Sequence, residues 1–270
     1  MKYLSFFVIA CLLAACGNDN PPSSSDNATQ NQPVATTLPD TKNPSQEAVI
    51  VGMELLFPPF GFKDELGKPT GFEVDLLHAV ARAGGFNIDI VPSDRERFTD
   101  ELNGNTVELF AGALSVTPDR AQKVDFSEPY LDYTRQLYIL DTPDNTNLQK
   151  PEDLIGKKIS TDRSFNTAKK IVGDVGQVMQ VESFSLALKA LYTKQADAVI
   201  ADSRTLTYFD KQEGHADIKT RKIALDGKEK QLVFAVNKGN KELLDKVNKG
   251  IAAVKSDGTL ESLSKKWFDE

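Results

Sequence analysis

The sequence has few of the residues that build metal, redox or nucleic-acid sites. It contains only 2 Cys and 2 His, too few for a Cys/His zinc site. Its 32 Lys and Arg are outnumbered by 39 Asp and Glu, which gives a net charge of −7. An acidic chain without a basic block is poorly suited to bind nucleic acid. The GxSxG, HExxH, CxxC and Walker patterns are also missing. We therefore expect no metal, no cofactor and no nucleic-acid partner.

The N-terminal apolar run, residues 4–15, is too short to cross a membrane, which takes about 20 residues. It follows Lys2 and is typical of a signal peptide. It leads into LAACG at 13–17, and small residues before a Cys are typical of a bacterial lipoprotein box. We predict a signal peptide over 1–15 and a lipidated Cys16 as the mature N-terminus. The alternative is an ordinary signal peptide followed by a chance Cys. No disulfide is expected in the mature chain, because the other Cys leaves with the signal peptide.

Residues 16–46 are predicted to be a disordered tether that begins at the lipidated Cys16. The segment is rich in Pro, Asn, Ser and Thr and has no aromatic residue, so it cannot bury enough apolar surface to offset the entropy of ordering. As a flexible coil it would span roughly 30 Å. The folded part is then 47–270.

Strand and helix signals alternate along the folded part. An apolar run at 49–53, alternating apolar residues at 86–90 and the mainly apolar segment 107–114 predict strands, and 71–83 carries apolar residues at helical spacing. The pattern repeats from a predicted strand at 158–161 onward, and 102–115 resembles the later segment at 191–203 in its order of helix end, acidic residue and strand. This alternation predicts an α/β fold with parallel sheets and hints at two similar lobes.

Polar residues follow two of these strands, where ligands bind in open α/β sheets. Gly112 permits close backbone approach, Ser115 offers a hydroxyl, and Arg120 could direct its guanidinium at a carboxylate. Asp202, at the end of the other strand, could hold an ammonium. From the residues alone, Arg120 is as well explained by a surface helix, and Asp202 by a helix cap.

Five further stretches stand in a characteristic order: VGMELLFPPFGF at 51–62, GFEVDL at 71–76, LSVTPDRAQKVDFSEPY at 114–130, ADAVIAD at 196–202, and DGTL with KWF at 257–268. Together they resemble one known family, the solute-binding proteins of family 3, which are the amino-acid receptors of ABC importers.

The resemblance implies a two-lobed periplasmic-binding-protein fold of type II, with two hinge strands. Lobe 1 would be 48–137 plus 231–270, and lobe 2 would be 138–230.

The resemblance also assigns binding roles. Phe57 falls where an aromatic ring stacks on the ligand side chain, and Gly112 and Ser115 fall where the first lobe holds the ammonium and carboxylate. Arg120 matches the carboxylate-binding Arg and Asp202 the ammonium-binding Asp. Both ends of a zwitterion are matched, which points to an α-amino acid.

The sequence departs from the family pattern at two places. The anion-binding loop, often Gly-Thr-Thr, is replaced around Phe165 and Asn166, where backbone N–H groups at a helix start can still bind a carboxylate. Arg95 replaces an apolar or aromatic residue. Glu54 and Arg95 align with positions that often face the ligand side chain. If both face the cleft, they can pair with each other and leave a polar subsite, so we expect a polar amino acid.

The resemblance therefore implies a monomeric receptor, anchored by lipid in the periplasm or at the cell surface, which delivers a polar L-amino acid to an ABC permease. Two alternatives stay open: a sensor or adhesin that uses the same closure, and a cyclohexadienyl-dehydratase-like enzyme on the same fold. We expect no enzymatic activity, because an ammonium-binding Asp202 is not needed for a keto acid.

Overall fold

The computed structural model describes residues 47–211, 218–225 and 230–268. The predicted signal peptide, Cys16 and the tether lie outside the described residues. Within the described part, no helix combines the length and apolar character needed to span a membrane.

Strands and helices alternate over most of the described residues. The strands β1 to β14 are Ala48–Met53, Leu56–Phe57, Gly61–Lys63, Pro69–Thr70, Asn87–Pro92, Leu109–Leu114, Val124–Phe126, Leu131–Tyr133, Arg135–Leu140, Lys158–Thr161, Gln177–Gln180, Ala198–Asp202, Thr220–Ala224 and Lys230–Asn237. The helices α1 to α8 are Phe72–Gly84, Phe98–Asn103, Pro118–Lys123, Phe165–Val172, Phe184–Tyr192, Ser203–Asp210, Lys241–Ser256 and Thr259–Phe268. Short 3-10 helices cover Pro143–Asn145 and Pro151–Leu154.

Two mixed sheets are built on the same plan. The first has the order β5-β1-β6-β14-β7, with β8 also paired to β14, and the second has the order β11-β10-β12-β9-β13. In each sheet the first three strands in this order are parallel to one another, and the fourth strand pairs antiparallel with both the third and the fifth. The sequence predicted parallel sheets, which holds for the first three strands of each. Strands β9 and β14 depart from it because they join their sheets antiparallel, without a crossover helix.

The chain passes from one sheet to the other at Thr134. Strand β8 pairs with β14 of the first sheet, and β9 pairs with β12 and β13 of the second. The expected boundary between residues 137 and 138 therefore falls inside β9, because Arg135 already pairs with Asp202 in the second sheet.

The repeat suspected from the sequence has a structural counterpart in two acidic residues. Ile50 N–H donates to Glu108 Oε2 at 3.1 Å, and Glu108 N–H donates to the Ile50 carbonyl at 2.9 Å. Lys158 N–H donates to Asp197 Oδ2 at 2.8 Å, and Asp197 N–H donates to the Lys158 carbonyl at 2.8 Å. Each carboxylate thus joins the loop before the third parallel strand to the central strand. The third parallel strand is therefore anchored to the central strand in the same way in both sheets.

Helix α1 covers one face of the first sheet and packs against α7 and α8. Its apolar face buries residues at helical spacing, among them Phe72, Leu76 and Val80. Gly71 precedes it with φ of 131°, and a Cβ there would lie 2.4 Å from the Phe60 carbonyl oxygen. Glycine is therefore needed at the start of α1. The helix ends at a left-handed Gly85, as GG at 84–85 predicts.

Trp267 of α8 contacts residues from both parts of the fold. Its indole N–H donates to Asp75 Oδ2 at 2.9 Å. Its ring lies 6.1 Å from that of Phe62 and 6.4 Å from that of Tyr208. Tyr208 belongs to α6, which follows β12 of the second sheet, so α8 contacts elements of both sheets.

Gly250→Ala tests the close approach of α1 and α7. A Cβ at Gly250 would lie 2.2 Å from the Val80 carbonyl oxygen, so the helices must separate. Overpacking of this kind costs about 1–3 kcal/mol, while alanine would otherwise favour the helix by about 1 kcal/mol. We expect a net loss of stability in urea denaturation. The exposed neighbour in the same helix, Lys249→Ala, is the control and should change little; a Gly250→Ala protein as stable as wild type would contradict the packing.

Candidate functional site

A cavity lies between the two sheets, at the carboxyl ends of β1, β6, β10 and β12. From the side of the first sheet it is lined by Phe57, Phe60, Arg95, Ala113, Tyr133 and Leu232. From the second sheet the polar lining includes Arg135, Asp162, Arg163, Ser164, Asp202 and Thr205. The position agrees with the rule that ligands of α/β sheets bind beyond the carboxyl ends of the strands.

Two carboxyl groups of the second sheet face this cavity. Asp202 caps α6: its Oδ1 accepts the Thr205 N–H at 2.8 Å and its Oδ2 accepts the Thr205 hydroxyl at 2.7 Å. Burial nevertheless raises the pKa of Asp202 above its usual value. Burial also raises the pKa of Asp162, against the attraction of Arg163, and the charge of Asp202 adds to the rise. Neighbouring acids whose charge is disfavoured in this way provide a favourable environment for a cation.

Asp202 can cap helix α6 and still accept a hydrogen bond from a ligand in the cavity. A carboxylate has two oxygens that each accept more than one hydrogen bond, and the two bonds to Thr205 use only part of that capacity. The cap fixes the carboxylate in place at the cavity wall. The sequence left cap and ligand contact open as alternatives, and the cap is the one the structure contains.

Arg95 reaches the cavity from the loop after β5. Its Nε donates to the Gly112 carbonyl at 3.0 Å. Burial lowers the pKa of Arg95 to about 10, with further lowering by the charges of Arg163 and Arg120 and an opposing effect of Glu54. The group is therefore cationic at neutral pH. The sequence predicted that the backbone of Gly112 approaches the ligand. In the structure the Gly112 carbonyl accepts a hydrogen bond from the Arg95 guanidinium.

Arg120 lies on α3, directly after β6. Thr117 caps this helix by accepting the Arg120 N–H at 3.3 Å, and Pro118 occupies the first turn. The Arg120 Nη1 donates to the Ser115 carbonyl at 3.1 Å, and its guanidinium lies 5.4 Å from the Phe98 ring. Neither Arg120 nor Ser115 is among the described residues that line the cavity. Their assigned contact with a ligand stays a prediction.

The segment after β10 contributes different residues from those expected. Phe165 and Asn166 open α4 and are exposed, with Phe165 at 41%, whereas the preceding Asp162, Arg163 and Ser164 line the cavity. Ser164 stands at the cap position without a side-chain cap bond. Asp162 and Arg163 follow strand β10 immediately, so the strand-end rule that selected Asp202 would also have selected them.

Glu54 and Phe57 follow β1 and meet Arg163 from the opposite sheet. Arg163 Nη2 lies 2.5 Å from Glu54 Oε2, and the Arg163 guanidinium lies 3.7 Å from the centre of the Phe57 ring. Glu54 therefore pairs with Arg163, and the pairing with Arg95 that the sequence suggested is not the one formed.

Glu73 supports the floor of the cavity from behind. Both of its carboxylate oxygens accept the Ala113 N–H, at 3.0 and 3.2 Å, and the Tyr130 hydroxyl donates to Oε1. Ala113 has a φ of 49°, which is uncommon outside glycine. The side chain of Glu73 is fully buried, so its carboxyl fixes a strained turn in the cavity wall.

The model of bacterial extracellular solute-binding proteins, family 3, matches residues 49–270 of this chain. The chain belongs to this family. Two curated relatives extend over nearly the whole sequence. The L-cystine-binding protein TcyA of Bacillus subtilis is 29% identical over 99% of this chain and 97% of the relative. A probable histidine-binding protein of Campylobacter jejuni is 31% identical over 98% of each.

Solved structures agree with this assignment. An ancestral arginine-binding protein bound to arginine has a TM-score of 0.72 and 32% identity over 82% of this chain and 98% of that chain. The family and the type II fold predicted from the sequence are therefore confirmed.

Glu73→Gln tests the buried carboxyl with a change of charge at constant size. Burial raises the pKa of Glu73 from 4.5 to about 7, although Tyr130, Ala113 and the nearby arginines favour the ionised form. A raised pKa contributes stability that is full below pH 4.5 and is lost as pH rises through about 7. At 1.36 kcal/mol per pKa unit the loss is about 3 kcal/mol. Urea denaturation between pH 4.5 and 8 should show that loss in wild type relative to Glu73→Gln.

The control for this comparison is Glu261→Gln, an exposed carboxylate in the first turn of α8. It should follow the pH dependence of wild type. If Glu73→Gln follows wild type as well, the buried carboxyl is not ionising in this range.

Proposed function

We propose that the chain is a lipid-anchored extracytoplasmic receptor that binds a polar L-amino acid between its two sheets and delivers it to an ABC permease. The observation that carries the proposal is the cavity, whose second-sheet wall holds the buried acids Asp162 and Asp202 and whose first-sheet side holds the cationic Arg95. An amino acid is a zwitterion, and a cleft with buried charge of both signs suits it.

The ammonium group of the ligand would lie at Asp202, with Asp162 nearby. A bound cation offsets the cost of ionising both buried acids. The ligand carboxylate would meet Arg120, whose guanidinium keeps donors beyond the one used on Ser115, and the backbone at Gly112 and Ser115. Phe57 would contact the ligand side chain. Phe165 and Asn166 would contribute through backbone N–H groups where α4 begins.

The names of the relatives support an amino-acid ligand without selecting one. They are described as binding cystine and histidine, and the ancestral structure holds arginine. Recognition of the common ammonium and carboxylate would explain why such different side chains occur within one family. The side-chain subsite then decides the ligand.

The expected lobes, 48–137 plus 231–270 and 138–230, would each be built around one of the two sheets, with their first boundary moved to the crossing at Thr134. Binding between such lobes closes them by hinge motion, and the closed form would be the one that the permease accepts. We assign no enzymatic activity, because the curated relatives above carry the names of binding proteins.

Asp202→Asn tests the ammonium contact without removing the cap of α6. Asparagine caps helices as well as aspartate does, so the variant should fold normally while it loses the charge. Removing one partner of a buried, hydrogen-bonded charge pair costs about 2–5 kcal/mol, and 2 kcal/mol is roughly 30-fold in Kd. Calorimetric titration with an amino acid that wild type binds should show at least that loss of affinity. The exposed Asp144→Asn of the same half of the chain is the control, and an Asp202→Asn affinity within threefold of wild type would remove Asp202 from the site.

Cys16→Ser tests the membrane anchor, for which the lipoprotein box is the support. Serine cannot accept the lipid, so the variant should appear in the soluble extracytoplasmic fraction or remain unprocessed. Fractionation followed by immunoblotting measures this. Membrane association equal to that of wild type would contradict lipidation at Cys16.

A further inference from the structure

The contact of Arg163 with Glu54 and Phe57 joins the two sheets across the cavity. Arg163 stands between β10 and α4 of the second sheet, whereas Glu54 and Phe57 stand between β1 and the end of β2, beside the first. The Arg163 and Glu54 side chains are 20% and 22% exposed and their charged atoms are 2.5 Å apart. An ion pair so little exposed is screened less by water and salt than one at the surface.

The same contact has the chemistry of a recognised cationic side chain. A carboxylate pairs with the guanidinium at one edge, and an aromatic face covers it at 3.7 Å. Stacking on an aromatic face and pairing with a carboxylate are two common ways in which proteins hold a guanidinium. Here the guanidinium belongs to the protein itself.

The neighbouring charges make this corner unfavourable for another cation. Arg95 lies close enough for its charge and that of Arg163 to repel, which contributes to the lowered pKa of Arg95. Asp162 lies on the other side of Arg163, with an oxygen 3.7 Å from Nε. The Glu54 carboxylate is thus already paired with Arg163, and a further cation at this corner would be repelled by Arg95.

We infer that Arg163 is a specificity-determining residue, which occupies the cation position between Glu54 and Phe57 and so excludes ligands with cationic side chains. The inference rests on the proposed function and refines it. A lysine or arginine ligand would have to displace Arg163 and place its own charge beside Arg95. Neutral and acidic side chains do not need the Glu54 carboxylate, and they are not repelled by Arg95.

The experiment is calorimetric titration of the purified full chain with L-arginine, L-lysine, L-histidine, L-glutamine, L-glutamate and L-cystine. Wild type, Arg163→Ala and Arg163→Gln are compared. We expect wild type to bind arginine and lysine at least tenfold more weakly than the best neutral or acidic amino acid of the panel. In Arg163→Ala the ratio should shift at least tenfold toward arginine and lysine. Arg163→Gln should shift it in the same direction and serves if the alanine variant does not fold.

Two controls separate the side-chain position from a general effect of charge. Lys170→Ala removes one cation from the exposed face of α4 and should leave the ranking unchanged. Adding Glu54→Gln to Arg163→Ala should abolish the gain for cationic ligands, because the carboxylate that they would use is gone.

The outcomes distinguish this inference from the function on which it rests. Wild type that binds amino acids and prefers arginine or lysine overturns the inference, as does a ranking that stays within threefold in both Arg163 variants. In either case the receptor function stands. If neither wild type nor any variant binds a member of the panel, the proposed function fails and the inference fails with it.

Discussion

Charge buried between two sheets is the constraint around which the cleft is built. A charged group that leaves water loses several kcal/mol of solvation unless hydrogen bonds or an opposite charge replace it. In the cleft, each charged group forms hydrogen bonds with nearby residues. Thr205 satisfies Asp202, the Gly112 carbonyl satisfies Arg95, and Ala113 with Tyr130 satisfies Glu73. Because the fold itself supplies these hydrogen bonds, the charged groups are held in position without a ligand.

The repeated sheet plan explains why such groups converge. In both sheets the chain emerges from the third parallel strand into the cleft, and an acidic residue before that strand anchors it to the central one. The carboxyl ends of these strands carry Ala113 in one sheet and Asp202 in the other. The same strand arrangement therefore brings a backbone N–H and carbonyl to one side of the cleft and a carboxylate to the other.

The sequence predicted those parts of the structure that depend on local residue patterns. Strand β10 was predicted at its observed bounds, and α1 differed only by a residue at each end, because strand and helix ends carry glycine and apolar signals near in sequence. It missed the antiparallel direction of β9 and β14, which depends on pairing between distant segments. It also missed the partner of Glu54.

The missed partner has a physical reason. Glu54 and Arg163 belong to different sheets, and no local pattern records which groups meet when two sheets face each other. The family resemblance directed attention to Phe165 and Asn166, whereas the cavity is lined by the residues just before them. A family pattern locates a loop more reliably than it identifies which of the loop's side chains turn inward, especially where the loop sequence departs from the pattern.

Trp267 is the single tryptophan of the chain, and its position gives the protein an optical property. Its indole is fixed to the first half of the fold through Asp75 and Phe62 and lies against Tyr208 of the other half. Rotation of one sheet against the other would change the distance between this fluorophore and the tyrosine ring. The intrinsic emission of the unlabelled protein would therefore respond to that rotation.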